Sequence, residues 1–170
     1  MAFAELEQLQ PLLSHPALTV AVLAEAGGLP IYRLGLGARD PGLPTLLLVG
    51  GIHGSERIGS QILLGWLTHV LSRLSWDQTL QHLLGRVRIE LLPLVNVTGL
   101  ARGTRATADG IDLMRNAPVQ AQGRVLWPLG GQRLSRHLPW YRGQQLAPEN
   151  QAVHQTVLAL LQQSPFVLAM

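Results

Sequence analysis

Cysteine is absent from this sequence of 170 residues. Its absence excludes disulfide bridges, thiol nucleophiles and thiolate metal sites. A transition-metal site in this chain must therefore be built from histidine and carboxylate side chains, which together form many catalytic metal centres.

Lysine is absent as well, so all 13 basic residues are arginine, and the formal net charge is only +3. The arginines are scattered, and aromatic residues make up only 5% of the chain. A nucleic-acid surface usually shows a basic stripe with interleaved aromatic residues. We therefore expect no nucleic-acid partner.

The sequence also lacks an apolar run of the roughly 18 to 20 residues that a membrane-spanning helix needs. Glu5 and Glu7 stand near the N-terminus, where a secretory signal would carry positive charge. These features predict a cytoplasmic protein without a membrane partner.

What is present favours a globular protein, because 47% of the residues are hydrophobic and 14% are charged. The length fits a single domain. The sequence predicts no particular oligomeric state.

The first part of the chain has the pattern of strands after a short amphipathic lead-in over residues 1–16. Two strand-like runs, 18–25 and 29–37, flank Ala26-Gly27-Gly28, and this order predicts a hairpin. The run 45–52 is apolar on both faces, which is typical of a buried parallel strand.

A helical period then begins at Ile58. The residues Ile58, Ile62, Trp66 and Val70 repeat every fourth position and predict a core-facing helix. Further strands are predicted over 87–96 and 164–170, and a further helix over 148–161. Residues 97–148 are rich in Gly, Pro and Arg with little periodicity, which indicates a long functional loop region.

Alternating strands and helices predict an α/β layered fold with an antiparallel hairpin at one edge of the sheet. The sequence stops inside its last apolar strand, with no helix after it to cover that strand. We therefore expect a truncated chain.

The segment after the strand 45–52 carries the first candidate site. Two glycines, Gly50 and Gly51, allow a sharp turn, and His53 and Glu56 follow just before the helix. Such a position at the carboxyl end of a parallel strand is where open α/β sheets bind ligands. Imidazole and carboxylate suit Zn²⁺. A structural alternative is that Glu56 complements the helix dipole and His53 only occupies the turn.

A second motif follows the strand that ends at Asn96. Arg105 stands ten residues before Arg115, which lies in the segment Gly110-Ile111-Asp112-Leu113-Met114-Arg115-Asn116. The two motifs, in this order, resemble those of the zinc metallocarboxypeptidase family. From about residue 29 to residue 170 the chain is most similar to the short bacterial type, which is related to the succinylglutamate desuccinylase and aspartoacylase branch.

This resemblance implies a three-layer α/β/α sandwich on a mixed, mainly parallel sheet. It further implies that residues 1–170 are the N-terminal part of a single catalytic domain whose C-terminal remainder is missing. The cofactor implied is one Zn²⁺ held by two histidines and one glutamate.

Carried over by position, the resemblance assigns a role to each residue of the two motifs. His53 and Glu56 would be zinc ligands, and Arg105 would be the catalytic residue that stabilises the developing oxyanion. Arg115 and Asn116 would bind substrate, with Arg115 gripping a terminal carboxylate. Asp112 would accept a hydrogen bond from His53 and orient its ring. Arg105, Asp112 and Arg115 could each instead have only a structural role.

The sequence departs from the family pattern at Met114, where the family has an Asn that helps to hold the terminal carboxylate. Ser55 stands where digestive-type members carry an Arg, which indicates a small substrate. The third ligand, a histidine, and the general-base glutamate are expected beyond Met170. The other histidines are poor candidates for a ligand: His15, His69, His82, His137 and His154.

The resemblance thus implies a zinc-dependent hydrolase that cleaves the C-terminal peptide bond of a small peptide. One alternative is an N-acyl amino acid deacylase of the aspartoacylase and succinylglutamate desuccinylase type, acting on an acyl-amino acid. Another is a non-catalytic binding protein that retains the fold.

Overall fold

A computed structural model describes residues 3–119, 123, 125–164 and 167–169. Within these residues the chain forms short and long helices around one sheet. The helices are Ala4–Leu9 (α1), Ile58–Arg73 (α2), Gln78–Leu84 (α3), Val97–Arg102 (α4), Leu113–Asn116 (α5) and Pro148–Gln163 (α6), with a 3₁₀ turn at Gln10–Leu12. The strands are Thr19–Ala26 (β1), Leu29–Gly37 (β2), Thr45–Val49 (β3), Arg88–Leu92 (β4) and Val167–Ala169 (β5).

The five strands lie in the order β1-β2-β4-β3-β5. β1 pairs antiparallel with β2, and β2 pairs antiparallel with β4. β3 pairs in parallel with both β4 and β5. The predicted α/β fold, with a mixed sheet and an antiparallel hairpin at one edge, is confirmed.

Hydrophobic side chains pack on both faces of this sheet. On one face, helices α1 and α2 contribute Leu9 and Leu67 to a cluster that also contains Leu91 of β4. On the other face, Leu113 of α5 and Leu160 of α6 pack with Leu47 and Leu92 of the central strands. Each fully buried leucine stabilises the fold by roughly 2 kcal/mol. The helices and the sheet therefore form three layers.

The inward face of α2 differs from the predicted one. Ile58 and Ile62 are 71% and 63% exposed, whereas Ser60, Leu64 and Leu67 are buried. The prediction for these two isoleucines was wrong because α2 is apolar around much of its circumference. A period of four residues then identifies a helix but does not select the face that packs on the sheet.

The central strands end earlier than predicted, β3 at Val49 and β4 at Leu92. The segments that follow them stay connected by backbone hydrogen bonds from Val95 N to Gly50 O (3.1 Å) and from Asn96 N to Gly51 O (2.8 Å). The loops that follow β3 and β4 therefore leave the carboxyl ends of these strands side by side. Among the described residues, no helix is long and apolar enough to cross a membrane.

The region 97–148, predicted as loop, contains the short helices α4 and α5. Asn96 caps α4 by accepting a hydrogen bond from Gly99 N, and Asp112 caps α5 by accepting one from Met114 N. Both are residue types that favour the N-cap position. Helices this short show little periodicity, which is why the pattern did not reveal them.

Candidate metal centre

The loop after β3 is shaped by close backbone packing. Gly51 has a φ of +70°, and a Cβ at this position would lie 2.7 Å from Ser60 Oγ. A Cβ on Gly54 would overlap the carbonyl carbon of Gly99 at the start of α4. Glycine is required at both positions, and the backbone between His53 and Glu56 therefore lies directly on α4.

His53 and Glu56 converge at the end of this loop. His53 Nδ1 lies 3.2 Å from Glu56 Oε1, and Glu56 N donates a hydrogen bond to His53 O at 3.0 Å. The side chain of His53 is 10% exposed and that of Glu56 is 60% exposed. The pair thus presents one nearly buried nitrogen and one accessible carboxylate to the same point.

The other ring nitrogen of His53 faces Asp112. His53 Nε2 lies 3.5 Å from Asp112 Oδ1, within contact distance but without the geometry of a hydrogen bond. Asp112 is buried, and its backbone N–H donates to Tyr141 O at 2.8 Å. A buried carboxylate held by its own backbone is well placed to orient an imidazole ring.

Arg105 joins the two carboxylates. Its Nη1 donates to Glu56 Oε1 at 2.9 Å, and its Nε donates to Asp112 Oδ2 at 3.0 Å. The side chain remains 44% exposed. Two motifs about 50 residues apart in the sequence therefore meet in one cluster of four charged or ionisable side chains.

Asn96 is a further residue of this site, and sequence reasoning gave it no role. Its fully buried side chain donates to Ile52 O (3.2 Å) and to Arg105 O (3.1 Å). It therefore connects the backbone beside His53 with the backbone of Arg105. The spacing of Asn96 and Gly99 at a strand end is an N-cap pattern that could have indicated a fixed position.

The donor atoms of His53 and Glu56 fit part of a zinc site. Two ligands that each lie 2.0–2.2 Å from one tetrahedral ion are roughly 3.4 Å apart, close to the separation of His53 Nδ1 and Glu56 Oε1. Within the described part of the chain, no group of three His, Cys, Asp or Glu residues could hold a metal ion. The pair therefore fits two positions of a ligand set and needs a further ligand.

Arg115 and Met114 line a cavity of about 520 Å³ beside α5. Arg115 Nε is buried without a hydrogen-bond partner, whereas Met114 is exposed. A thioether is only a weak acceptor and donates no hydrogen bond. Among these two residues, only Arg115 can bind an anion.

Asn116 directly follows Arg115, is buried, and forms hydrogen bonds within the protein itself. Its Nδ2 donates to Arg142 O (2.7 Å) and Gln145 O (2.8 Å), and its Oδ1 accepts from Ala147 N (2.8 Å). Both amide protons are used in these contacts. Substrate binding by Asn116 stays a prediction, and the hydrogen bonds give this side chain a structural role that the sequence did not indicate.

A second cavity, of about 360 Å³, opens next to Arg105 and Asp112. His137 and Trp140 also line it, and Trp140 has a φ of 59°, which is uncommon for a residue other than glycine. Neither residue was assigned to the site from the sequence. Their region showed no periodic pattern that would place them beside Arg105.

Comparison with known protein families identifies the family of this chain. Residues 16–170 match the model of the zinc carboxypeptidase family (Peptidase M14). The chain belongs to the zinc carboxypeptidase family. This agrees with the family that the His53–Glu56 and Arg105–Arg115 motifs indicated.

Individual relatives and solved structures agree with this membership. Carboxypeptidase Z from Rattus norvegicus is 32% identical over an alignment of 143 positions that covers 74% of this chain and 21% of that protein. A crystal structure of a candidate metallopeptidase from Shewanella amazonensis is 28% identical, with a TM-score of 0.63, and the match covers 94% of this chain and 50% of that one.

The fold is also shared with more distant structures. A metallo-carboxypeptidase from Burkholderia cenocepacia has a TM-score of 0.66 at 20% identity, over 91% of this chain and 36% of that one. The chain thus spans half or less of the length of these relatives. Family membership associates it with peptide hydrolysis and with zinc, and its own activity is a matter of proposal.

Proposed function

We propose that this chain supplies the N-terminal part of the catalytic site of a zinc-dependent hydrolase, which removes the C-terminal residue of a small peptide. The observation that carries the proposal is the contact of His53 with Glu56 and Asp112, joined by Arg105. These side chains come from separate loops at the carboxyl ends of the central strands, which is where ligands bind in α/β folds.

His53 and Glu56 would hold the zinc ion through Nδ1 and the carboxylate. When bound, zinc would lower the pKa of a coordinated water towards about 7 and supply a hydroxide-like nucleophile at neutral pH. The role of Asp112 is to fix the ring of His53, since a carboxylate facing Nε2 keeps the proton on that nitrogen and leaves Nδ1 free to act as a ligand.

Arg105 would stabilise the negative charge that develops on the scissile carbonyl oxygen. Its guanidinium is fixed by Glu56 and Asp112 and remains partly exposed to solvent. A donor group that is held in place before the reaction needs little reorganisation in the transition state, and loss of one such donor typically lowers kcat about 10²–10³-fold.

Arg115 would bind the terminal carboxylate of the peptide. Its position just after Asp112, with a buried and unpartnered Nε in a cavity, supports this role. Met114 next to it cannot donate a hydrogen bond. Arg115 would therefore hold the carboxylate without the neighbouring amide that the family pattern provides.

A third ligand would come from chain following β5. β5 lies beside β3 and parallel to it, so that residues after β5 would emerge at the edge that carries His53. This placement supports the proposal that residues 1–170 form one part of a single catalytic domain.

The test is an assay of the protein that carries this chain, with Zn²⁺ present, on a dipeptide, on the same dipeptide amidated at its C-terminus, and on an N-acyl amino acid. The proposal is supported if only the free dipeptide is hydrolysed and if Arg105→Gln lowers kcat by at least about 10²-fold. The matched control is Arg86→Gln, an exposed arginine that precedes β4 at the opposite end of the strand.

A second candidate function is deacylation of an N-acyl amino acid. It is favoured by Met114, because the site lacks the amide that would make it specific for a peptide terminus. Hydrolysis of the N-acyl amino acid alone would establish this alternative. No turnover of any of the three substrates, without stoichiometric zinc, would indicate a binding protein instead.

A further inference from the structure

The region between Asp112 and Glu149 has an unusual charge pattern. Residues 113–148 contain no Asp or Glu, although they contain five arginines, and these are Arg115, Arg124, Arg133, Arg136 and Arg142. Arg124 lies outside the described residues. A segment of one charge sign beside a catalytic site attracts ligands of the opposite sign.

Two of these arginines meet in the 520 Å³ cavity beside α5. Arg115 and Arg142 both line it, together with Met114, Val125 and Leu129. Gly131 lies between the two arginines, and a Cβ on Gly131 would lie 3.0 Å from Arg115 Cβ and 3.2 Å from Arg142 Cβ. The two guanidinium side chains therefore leave the backbone close to each other, on either side of a residue that leaves room for both.

The backbone of Arg142 is fixed in this position. Arg142 N donates to Gln132 O at 2.9 Å, and Arg142 O accepts from Asn116 Nδ2 at 2.7 Å. Asn116 directly follows Arg115 in the chain. The same buried amide therefore sets the relative position of the two arginines.

Neither guanidinium is neutralised by the protein. In the part of the chain that the structure describes, Arg115 and Arg142 form no ion pair with an acidic side chain, and Arg115 Nε has no hydrogen-bond partner. Like charges held together destabilise a fold unless an anion compensates them. The arrangement suits a ligand with two negatively charged groups.

We propose that this cavity selects peptides whose C-terminal residue has an acidic side chain. Arg115 binds the terminal carboxylate, and Arg142 binds the side-chain carboxylate of the same residue. The half-exposed apolar side chains of Val125 and Leu129 line the same cavity and would contact the methylene groups between the two carboxylates. This inference rests on the proposed role of Arg115 in binding the peptide terminus.

The test is calorimetric titration of the protein that carries this chain, with Zn²⁺ present, by alanyl-glutamate and alanyl-glutamine whose peptide bond is reduced so that it cannot be cleaved. The two dipeptides have the same shape and differ by one negative charge. Because a guanidinium–carboxylate contact is about twice as strong as a neutral hydrogen bond, we expect alanyl-glutamate to bind about tenfold more tightly. Raising the salt concentration should reduce this preference.

Variants assign the preference to Arg142. Arg142→Gln should bring the affinity for alanyl-glutamate to within about twofold of that for alanyl-glutamine. Arg142→Lys keeps the positive charge and should retain part of the preference, and unchanged binding of alanyl-glutamine by Arg142→Gln shows that this variant folds. Arg86→Gln, with the same change of charge far from the cavity, should leave both affinities unchanged.

Failure of this inference can be distinguished from failure of the proposed function. If alanyl-glutamine binds, Arg115→Gln abolishes its binding, and alanyl-glutamate binds no better, the acidic preference is refuted while the role of Arg115 stands. If Arg142→Gln removes a preference for alanyl-glutamate and Arg115→Gln changes nothing, Arg142 binds the acid, but Arg115 does not hold the terminus. Binding of neither dipeptide would overturn both.

Discussion

At the scale of single residues, the site depends on positions where the backbone of one loop touches another. Gly54 separates the two proposed ligands and packs on Gly99, and Asn96 hydrogen-bonds to both loops. Neither residue would contact the metal or the substrate. Their side chains, or the lack of one, determine whether His53, Glu56 and Arg105 meet.

Substitution of Gly54 tests this close packing. Gly54→Ala should lower the free energy of unfolding by about 3 kcal/mol or more, because the new Cβ overlaps backbone that cannot move aside easily. Urea unfolding followed by circular dichroism measures the effect. The matched control is Gly59→Ala in α2, where a Cβ meets open space and alanine should stabilise the helix by up to about 1 kcal/mol. Equal effects at the two positions would contradict the packing argument.

Asn96 offers a test of the link between the two loops. Asn96→Asp retains an oxygen that can accept from Gly99 N but loses the donors to Ile52 O and Arg105 O. The carbonyls of Ile52 and Arg105, whose hydrogen bonds to Asn96 are part-buried, then lose this donor, at up to about 1–3 kcal/mol each. We expect Asn96→Asp to destabilise the protein nearly as much as Asn96→Ala. Full stability of Asn96→Asp would show that only the helix cap matters.

At the scale of elements, a partly buried ion pair attaches the N-terminal helix to the site. Glu5 Oε2 of α1 accepts from Arg57 Nη1 at 2.6 Å, and Arg57 Nη2 donates to Leu100 O of α4 at 2.6 Å. Arg57 directly follows the proposed ligand Glu56 and precedes α2. The lead-in segment, which the sequence predicted only as an amphipathic stretch, thus stabilises three helices where they meet.

Breaking this pair should be costly because Arg57 would keep a partly buried charge without a partner. We expect Glu5→Ala to lower the free energy of unfolding by about 2–3 kcal/mol, somewhat below the range for fully buried pairs. Glu7→Ala, an exposed position in the same helix, should change it by less than about 0.5 kcal/mol. Thermal unfolding of both variants measures the difference, and similar melting temperatures would contradict the assigned role of the pair.

Elements were predictable from the sequence where the hydrophobic pattern was unambiguous. The hairpin of β1 and β2 and the buried strand β3 followed from alternation, glycines and a continuous apolar run. The face of α2 was not predictable, since Ile58 and Leu64 are equally apolar and only the tertiary packing separates them. For the site, the motifs indicated His53, Glu56, Arg105 and Asp112. The packing of Gly54 on Gly99 was not predictable, because it joins residues far apart in the sequence.

At the scale of the whole molecule, two carboxylates make stability depend on pH in opposite directions. Burial raises the pKa of Glu149, and the nearby charge of Asp109 adds to this effect. Between the unfolded and the raised native pKa, the native state binds more protons, and stability therefore falls as the pH rises. Glu149→Gln should be more stable than the wild type at neutral pH. The difference in the free energy of unfolding should disappear as the pH falls through the raised pKa of Glu149.

Asp77 provides the opposite case. Hydrogen bonds from Leu80 N and from Arg73 lower the pKa of Asp77, so its ionised form stabilises the native state above the unfolded pKa. This contribution is lost as the pH falls through the native pKa. Asp77→Asn should therefore be less stable than the wild type at neutral pH and equal to it in acid. Urea unfolding between pH 3 and pH 8 tests both variants, and a gap of constant size would contradict either assignment.

One of the backbone hydrogen bonds that continue past the ends of β3 and β4 can report on the state of the site. Asn96 N donates to Gly51 O, in the loop that leads to His53. For this amide to exchange its proton with solvent, the two loops must separate, which also pulls His53 away from Arg105. A ligand that binds only the closed arrangement slows this exchange by the factor 1 + [L]/Kd. Deuterium uptake at the amide of Asn96 would thus measure the occupancy of the proposed metal site at His53 and Glu56 without any turnover.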